Sequence, residues 1–178
     1  NNSISKEGLS VSYGGLKIKG DYAGNSNSSI SIDITSALEV TGTFDNGNGK
    51  INVTYGTKNI PASNTYITKN IVTAGLIKNT TSENVNTVPI NNYFDFQNIT
   101  VTDNKISLDY KRNSTEYVVK SLGMTSHSAV NTALNLENSF TVAEKNDSFL
   151  KAASGILATP NALLPRTIDS LSAEIYAS

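Results

Sequence analysis

The sequence predicts a mainly β fold that ends in a short α-helical segment. Apolar and polar residues alternate from residue 9 to about residue 119, which is the period of half-buried strands. Clusters of Gly, Asn, Asp and Ser separate these runs and are typical of turns between strands. After Gly123 the alternation gives way to helical spacing. The chain is therefore expected to be β-rich first and helical last.

The strands follow one another in short alternating runs. Residues 16–18 place Leu16 and Ile18 on one face, with lysines on the other. Residues 30–34, 38–40, 51–55 and 106–110 repeat the pattern. The predicted core of this region is Leu16, Ile18, Ile30, Ile32, Leu38, Val40, Ile51, Val53, Ile106 and Leu108.

Periodicity does not choose between three architectures, because sandwiches, barrels and parallel β-helices all contain short alternating strands. The spacing favours a solenoid. The apolar pair Leu16 and Ile18 recurs as Leu38 and Val40, and this spacing lies within the range of one coil of a repeat protein. An antiparallel β-sandwich remains the alternative.

The helical region contains residues that are suited to begin helices. Thr125 or Ser126 is suited to open a helix, which would place Val130, Ala133 and Leu134 on one face. Pro165 is suited to a first helical turn, so a last helix is expected to begin near it. This helix carries an apolar stripe at helical spacing. The stripe consists of Leu164, Ile168, Leu171 and Ile175.

Composition excludes several classes of function. The 178 residues carry 14 basic and 15 acidic side chains without a basic stripe, which argues against nucleic-acid binding. The absence of cysteine excludes disulfides, thiolate nucleophiles and Cys-based metal sites. No apolar run reaches the roughly 20 residues that span a bilayer. No cofactor is expected.

No residue pattern indicates catalysis or metal binding. His127 lies between two serines, but adjacent side chains rarely point at each other, so a polar residue near a helix start is the better interpretation. Residues 45–49, DNGNG, resemble a calcium loop only faintly, because glycines stand at positions that need side-chain oxygens. The aspartates are isolated in sequence. We therefore predict no enzyme activity and no metal site, and the sequence indicates no ligand-binding residue.

The termini suggest a piece of a longer protein. The first residue is Asn1 rather than an initiator Met, and the apolar stripe is still in progress where the sequence ends at Ser178. We expect the chain to be an excised segment.

Four stretches in order resemble one family. They are residues 38–56, with a Leu-x-Val-x-Gly strand and a Gly-rich turn, residues 64–76, the strand of residues 106–110, and residues 167–178. Together they resemble the C-terminal passenger region of a classical monomeric autotransporter, a type V secretion protein. The matching residues are Leu38, Val40, Gly42, Tyr66, Thr73, Ala74, Gly75, Leu171, Ser172, Glu174, Ile175, Ala177 and Ser178, whereas Ala173 replaces the usual Gly.

The resemblance implies a fold, a function and a location. The fold would be a right-handed parallel β-helix over residues 1–122, followed by an α-helical linker over residues 123–178 toward an outer-membrane β-barrel absent from this sequence. The chain would be the autochaperone, or folding template and stem, of a surface-exposed passenger that is an adhesin and virulence factor. Its partners in cis would be upstream passenger coils and the downstream barrel, at the bacterial cell surface or outer membrane.

Two other functions compete with the folding template. An adhesin segment would bind a host or bacterial surface ligand, a glycan or a protein, through loops such as the polar stretch of residues 76–92. A β-helical hydrolase or lyase ranks last, because no acid and base residues cluster.

Overall fold

The computed structural model describes residues 3–5, 8–11, 14–55, 63–87, 89–142, 153 and 155–177. Its strands are β1 (Ser3–Ser5), β2 (Gly8–Val11), β3 (Leu16–Ile18), β4 (Tyr22–Ala23), β5 (Ser29–Asp33), β6 (Leu38–Asp45), β7 (Lys50–Thr54), β8 (Ile67–Lys78), β9 (Val85–Asn86), β10 (Phe94–Val101) and β11 (Lys105–Arg112). The first sheet has the order β1-β2-β5-β7-β9. The second sheet has the order β10-β11-β8-β6-β3, and β4 also pairs with β6.

The described helices all follow the last long strand, apart from a 3-10 turn at Ser82–Asn84. They include α1 (Thr115–Ser121), α2 (His127–Val142) and α3 (Leu164–Ala177), and residues 155–157 are helical as well. The start of α3 confirms the helix predicted near Pro165. By contrast, α1 lies within the region where alternation was expected to continue. In the described part of the chain, every helix is too short or too polar to cross a membrane.

The predicted right-handed parallel β-helix is wrong, and so is the antiparallel β-sandwich. The described chain is a mixed α/β structure with two sheets, and no closed solenoid is seen in it. Three inner pairs, β2 with β5, β5 with β7 and β6 with β8, are parallel, which contradicts the sandwich. Antiparallel pairs, β1 with β2 and β11 with β8, break the parallel order. Alternation fixes which side chains are buried, but it carries no information on strand direction.

The predicted sequence repeat is confirmed at the register of β3 and β6. Leu16 pairs with Leu38 and Ile18 pairs with Val40, both in parallel. The first sheet has a similar step, because Leu9 pairs in parallel with Ile30. Successive strands along each of these parallel rows therefore place equivalent residues side by side.

The chain divides into two compact units that are not continuous in sequence. Unit one comprises Asn1–Gly56, Ile67–Val88 and Phe96–Tyr110. Unit two comprises Thr57–Tyr66, Pro89–Asp95 and Lys111–Ser178. The predicted functional boundary at residue 122 stays a prediction.

Unit one is held by a single apolar core drawn from both sheets. The predicted core positions in β5, β6, β7 and β11 are all buried in it: Ile30, Ile32, Leu38, Val40, Ile51, Val53, Ile106 and Leu108. Leu16 and Ile18 are only partly buried and pack against this core. Their exposure reflects the position of β3 at the end of the second sheet.

Unit two is built around a buried ion pair. The guanidinium of Arg112, with 0% of its side chain exposed, donates two hydrogen bonds of 2.9 Å to the two carboxylate oxygens of Glu137 on α2. The same carboxylate accepts from the backbone N–H of Thr115 at 3.0 Å and from its hydroxyl at 3.2 Å. Burial raises the pKa of Glu137, but these bonds from Arg112 and Thr115 outweigh burial and leave it lowered.

Further polar contacts fix unit two around this pair. The hydroxyl of Tyr93 donates to the Thr115 hydroxyl at 3.1 Å, and burial raises the pKa of Tyr93 to about 12. The side chain of Asn91 donates to the backbone carbonyls of Leu157 and Thr159. Of the predicted stripe on α3, Leu164 and Ile168 are fully buried, whereas the side chains of Leu171 and Ile175 lie outside the described part.

We expect Glu137→Gln to destabilise the protein by roughly 3 kcal/mol, because it replaces the carboxylate that pairs with the buried Arg112 guanidinium by a neutral amide. Urea unfolding measures the loss. The matched control is Glu116→Gln, which removes an exposed pair with Lys120 and should change the stability by less than about 1 kcal/mol. Equal effects of the two variants would contradict the assigned role of the buried pair.

The same carboxylate should make stability dependent on pH below its ordinary pKa. Because the pKa of Glu137 is lower in the folded chain than its usual value of 4.5, its stabilisation is complete above that value and is lost as the pH falls through the folded pKa. Unfolding free energies measured between about pH 6 and pH 3 should fall less steeply in Glu137→Gln than in the wild type. Parallel slopes would exclude Glu137 as a cause of acid lability.

Candidate functional site: an open parallel edge

Residues 16–23 form one edge of the second sheet, called here the open edge. They contain β3 and β4, and both strands pair with β6 at one constant offset, from Leu16 opposite Leu38 to Ala23 opposite Asp45. The backbone N–H of Leu16 donates to the carbonyl of Ala37 at 3.1 Å, toward β6. Since backbone groups alternate in direction along a strand, those of Lys17 point away from β6.

No strand in the described ranges pairs with the outer side of the open edge. The other ends of the sheets are different. The second sheet ends at its far side in the strand β10, next to β11, and the first sheet ends in the antiparallel β1 and in β9, which has two residues. Among the described sheet ends that pair in parallel with their neighbour, the open edge is therefore the longest.

Charged side chains line the solvent face of this edge. The ammonium of Lys17 lies 3.3 Å from the carboxylate of its cross-strand neighbour Glu39, and both side chains are about half exposed. Thr73 follows Glu39 in the same row. Lys17, Glu39, Thr73 and Lys69 border an open depression of about 500 Å³. A strand added next to β3 would place one side chain beside Lys17, on the side away from Glu39.

A clamp holds the middle of the open edge on β6. The N–H of Gly20 donates to the hydroxyl of Thr41 at 2.8 Å, and the N–H of Gly42 donates to the carbonyl of Gly20 at 2.8 Å. The N–H of Thr43 donates to the carboxylate of Asp21 at 2.7 Å. These bonds span the point at which β6 shifts its register against β8. The constant offset between the open edge and β6 consequently survives the irregularity.

Two glycines make this close approach feasible. A Cβ at Gly42 would overlap the Asp21 carboxylate and lie 2.8 Å from the carbonyl oxygen of Gly20. A Cβ at Gly75, on the next strand, would lie 2.9 Å from the carbonyl oxygen of Thr41. Both distances are too short for a side chain, so the backbones of three neighbouring strands meet at a column formed by Gly20, Gly42 and Gly75.

The sequence analysis missed this column. Residues 16–20, 38–42 and 72–75 read LKIKG, LEVTG and VTAG, so each strand ends its apolar alternation in a glycine. The recurrence of that glycine was the available signal. The Leu-x-Val-x-Gly pattern includes Gly42, but a family resemblance does not predict that backbones approach closely at this residue.

An aromatic pair anchors the far end of the open edge. The rings of Tyr22 and Phe44 are stacked, with centroids 5.1 Å apart and planes 14° apart. Phe44 is fully buried, and burial raises the pKa of Tyr22 despite a hydrogen bond to Ser28. The edge is thus fixed to the core at β4 as well as at the clamp.

The other candidate residues do not form a reactive site. His127 is exposed at the start of α2. Asp45 of the DNGNG segment accepts from the side chain of Asn79 at 2.8 Å and from the backbone of Gly47 at 3.0 Å. Both bonds lower the pKa of Asp45, and the segment is a turn between the two sheets. Among the described residues no three His, Cys, Asp or Glu side chains are grouped as metal ligands.

The polar stretch of residues 76–92 is more ordered than an open loop. It contains the end of β8, the 3-10 turn and β9. The side chain of Asn84 accepts from the backbone of Thr81 at 2.8 Å and donates to the carbonyl of Asn48 at 3.4 Å. The prediction of a loop at residues 76–92 is therefore only partly right, because β8 extends to Lys78 and a 3-10 turn and β9 occupy residues 82–86.

Comparison with known proteins gives no relative: no protein-family model, no curated protein and no solved structure matches the chain. The resemblance to autotransporter passengers stays a prediction.

We expect Gly42→Ala to destabilise the protein by about 1–3 kcal/mol, because the added methyl displaces Asp21 and the Gly20 carbonyl from the clamp. Gly155→Ala is the control, because a Cβ there meets no atom within 4 Å. That change should be neutral or stabilise by up to about 1 kcal/mol. Chemical denaturation compares the two, and an unchanged midpoint for Gly42→Ala would contradict the close approach.

Proposed function

We propose that this chain is a non-enzymatic folding template and stem of a surface-exposed passenger, as its resemblance to autotransporters suggests. The observation that supports the proposal is the open edge, a preformed parallel strand whose outer side pairs with no described strand. In that role an incoming strand would continue a row that already has a fixed register. The chain would act at the bacterial cell surface.

A template of this kind lowers the cost of starting a parallel sheet. Parallel strands are joined by long connections, so the entropy of closing the chain is lost before the first contacts form. Once one strand is in place, each further strand docks on an existing surface. The open edge supplies that first strand.

The template must be stable before its partner arrives. Burial of Ile30, Ile32, Leu38, Val40 and Ile51, each at most 1% exposed, contributes on the order of 10 kcal/mol before the chain entropy is subtracted. A folded block of this kind outside a membrane would oppose backward movement of the chain. Folding itself would then bias export in a compartment without ATP.

We expect Val40→Asp in the complete protein to abolish most surface display, because Val40 is 1% exposed and a charge there disrupts the core. Lys50→Gln, at an exposed position of the first sheet, is the control and should be displayed normally. Antibody labelling of intact cells, corrected for total protein, measures both. Normal display of Val40→Asp would refute the template function.

A further inference from the structure

We propose that the open edge selects its incoming strand by sequence: an extended segment with the pattern apolar, acidic, apolar, bound parallel to β3. This inference rests on the proposed function, since it specifies the strand that the template receives. Each position of the pattern follows from a different contact of residues 16–18.

The acidic position follows from Lys17. In the existing row, Lys17 faces Glu39 across one strand spacing, and the pair is 3.3 Å apart. An added strand in the same register places its second residue on the other side of Lys17. Directly opposed charges of unlike sign stabilise a strand pair, and like charges destabilise it. An acidic residue is therefore favoured there and a lysine is disfavoured.

The apolar positions follow from Leu16 and Ile18. Both are only partly buried, although their partners in the next strand, Leu38 and Val40, are at most 1% exposed. An added strand with apolar residues at these positions would complete the burial of Leu16 and Ile18. The gain is the ordinary hydrophobic burial of two partly exposed side chains.

The glycine column at the clamp bears on the approach of an added strand. Gly42 and Gly75 stand where the strand on their open-edge side leaves no room for a Cβ. Gly20 is the last described member of this column on the open side, and its own Cβ position is clear of other atoms. A strand that continues the row at the same separation would approach the Cβ position of Gly20, so the glycine at residue 20 leaves room for the backbone of that strand.

A second copy of the chain does not fit this edge through the same residues. Pairing of two open edges would bring Lys17 and Lys19 of one copy against the same lysines of the other, which repel. Lysines on an edge also discourage indiscriminate strand pairing. The occupant is therefore a segment that supplies the missing acid, and the chain's own residues 36–45, SALEVTGTFD, provide a probe with the required pattern.

The test measures binding of labelled SALEVTGTFD to the purified 178-residue chain by fluorescence anisotropy at low salt. One matched peptide replaces its glutamate with lysine. We expect the glutamate peptide to bind roughly five- to tenfold more tightly than the lysine peptide, with a difference that shrinks as salt is added.

The decisive variant is Lys17→Glu combined with Glu39→Lys, which keeps the ion pair and reverses its direction. This double variant of the chain should bind the lysine peptide more tightly than the glutamate peptide. Lys50→Glu, an exposed charge reversal in the first sheet, should leave the preference of the wild type unchanged. Equal binding of the two peptides, absence of binding, or a preference unaffected by the double variant would overturn the inference.

Register is tested separately by cross-linking, because the chain contains no cysteine. Lys19→Cys introduces a single thiol, and peptides carry one cysteine either at the position opposite residue 19 or at the acidic position two residues before it. Neighbouring strand positions bring Cα atoms within disulfide range, so the in-register peptide should form the mixed disulfide faster. Equal rates, or a faster reaction of the displaced peptide, would contradict the parallel register.

The two proposals can fail independently. If the peptides show no selectivity but Val40→Asp still blocks display, the sequence preference is wrong and the template function stands. If the peptides behave as expected but Val40→Asp is displayed normally, the edge is selective without being a template for export. Self-association of the purified chain that the double variant abolishes would place a second copy on the edge and overturn the inference.

Discussion

The order of unit one depends on the backbone contact at the glycine column. The hydrogen bond from Gly42 to the Gly20 carbonyl, and the one from Thr43 to Asp21, carry the pairing of the second sheet across a point where a strand would otherwise slip. A slip of one residue would turn every side chain of the strand to the opposite face. The clamp therefore keeps Leu38, Val40 and Phe44 in the core together. The shared core and the open edge both follow from that register.

Unit two is specified by different physics. Its interior contains Arg112 with Glu137, and Tyr93 with Thr115, in place of a repeated apolar row. A buried charge pair adds little net stability relative to apolar residues of similar size, but it penalises any arrangement that separates the partners. Repetition thus fixes unit one through register, whereas unit two is fixed through contacts that have one correct geometry.

The sequence predicted features that depend on the local alternation and spacing of residues. It did not predict features that depend on which segments of the chain pack or pair with one another. Alternation identified the buried positions of β5, β6, β7 and β11, and the spacing identified the offset of β3 from β6. Strand direction was not readable, because a run of alternating residues looks the same in parallel and antiparallel pairs. The buried face of α2 was only partly identified, since Ala133 is fully buried but Leu134 is 43% exposed, and Leu136 and Phe140 are buried as well. That face is set by Arg112, whose guanidinium lies 5.2 Å from the ring centroid of Phe140.

The open edge combines two properties that usually conflict. An exposed parallel strand is a template for pairing, and the same exposure invites aggregation. Lys17 and Lys19 protect the strand against apolar partners and against copies of itself, because any strand that does not supply a compensating charge must bury or repel a lysine. Glu39 meanwhile holds Lys17 in the row where a compensating acid would lie. Protection and selectivity are consequently two effects of the same charged side chain, and Gly20 leaves room for the backbone of a strand that supplies the compensating charge.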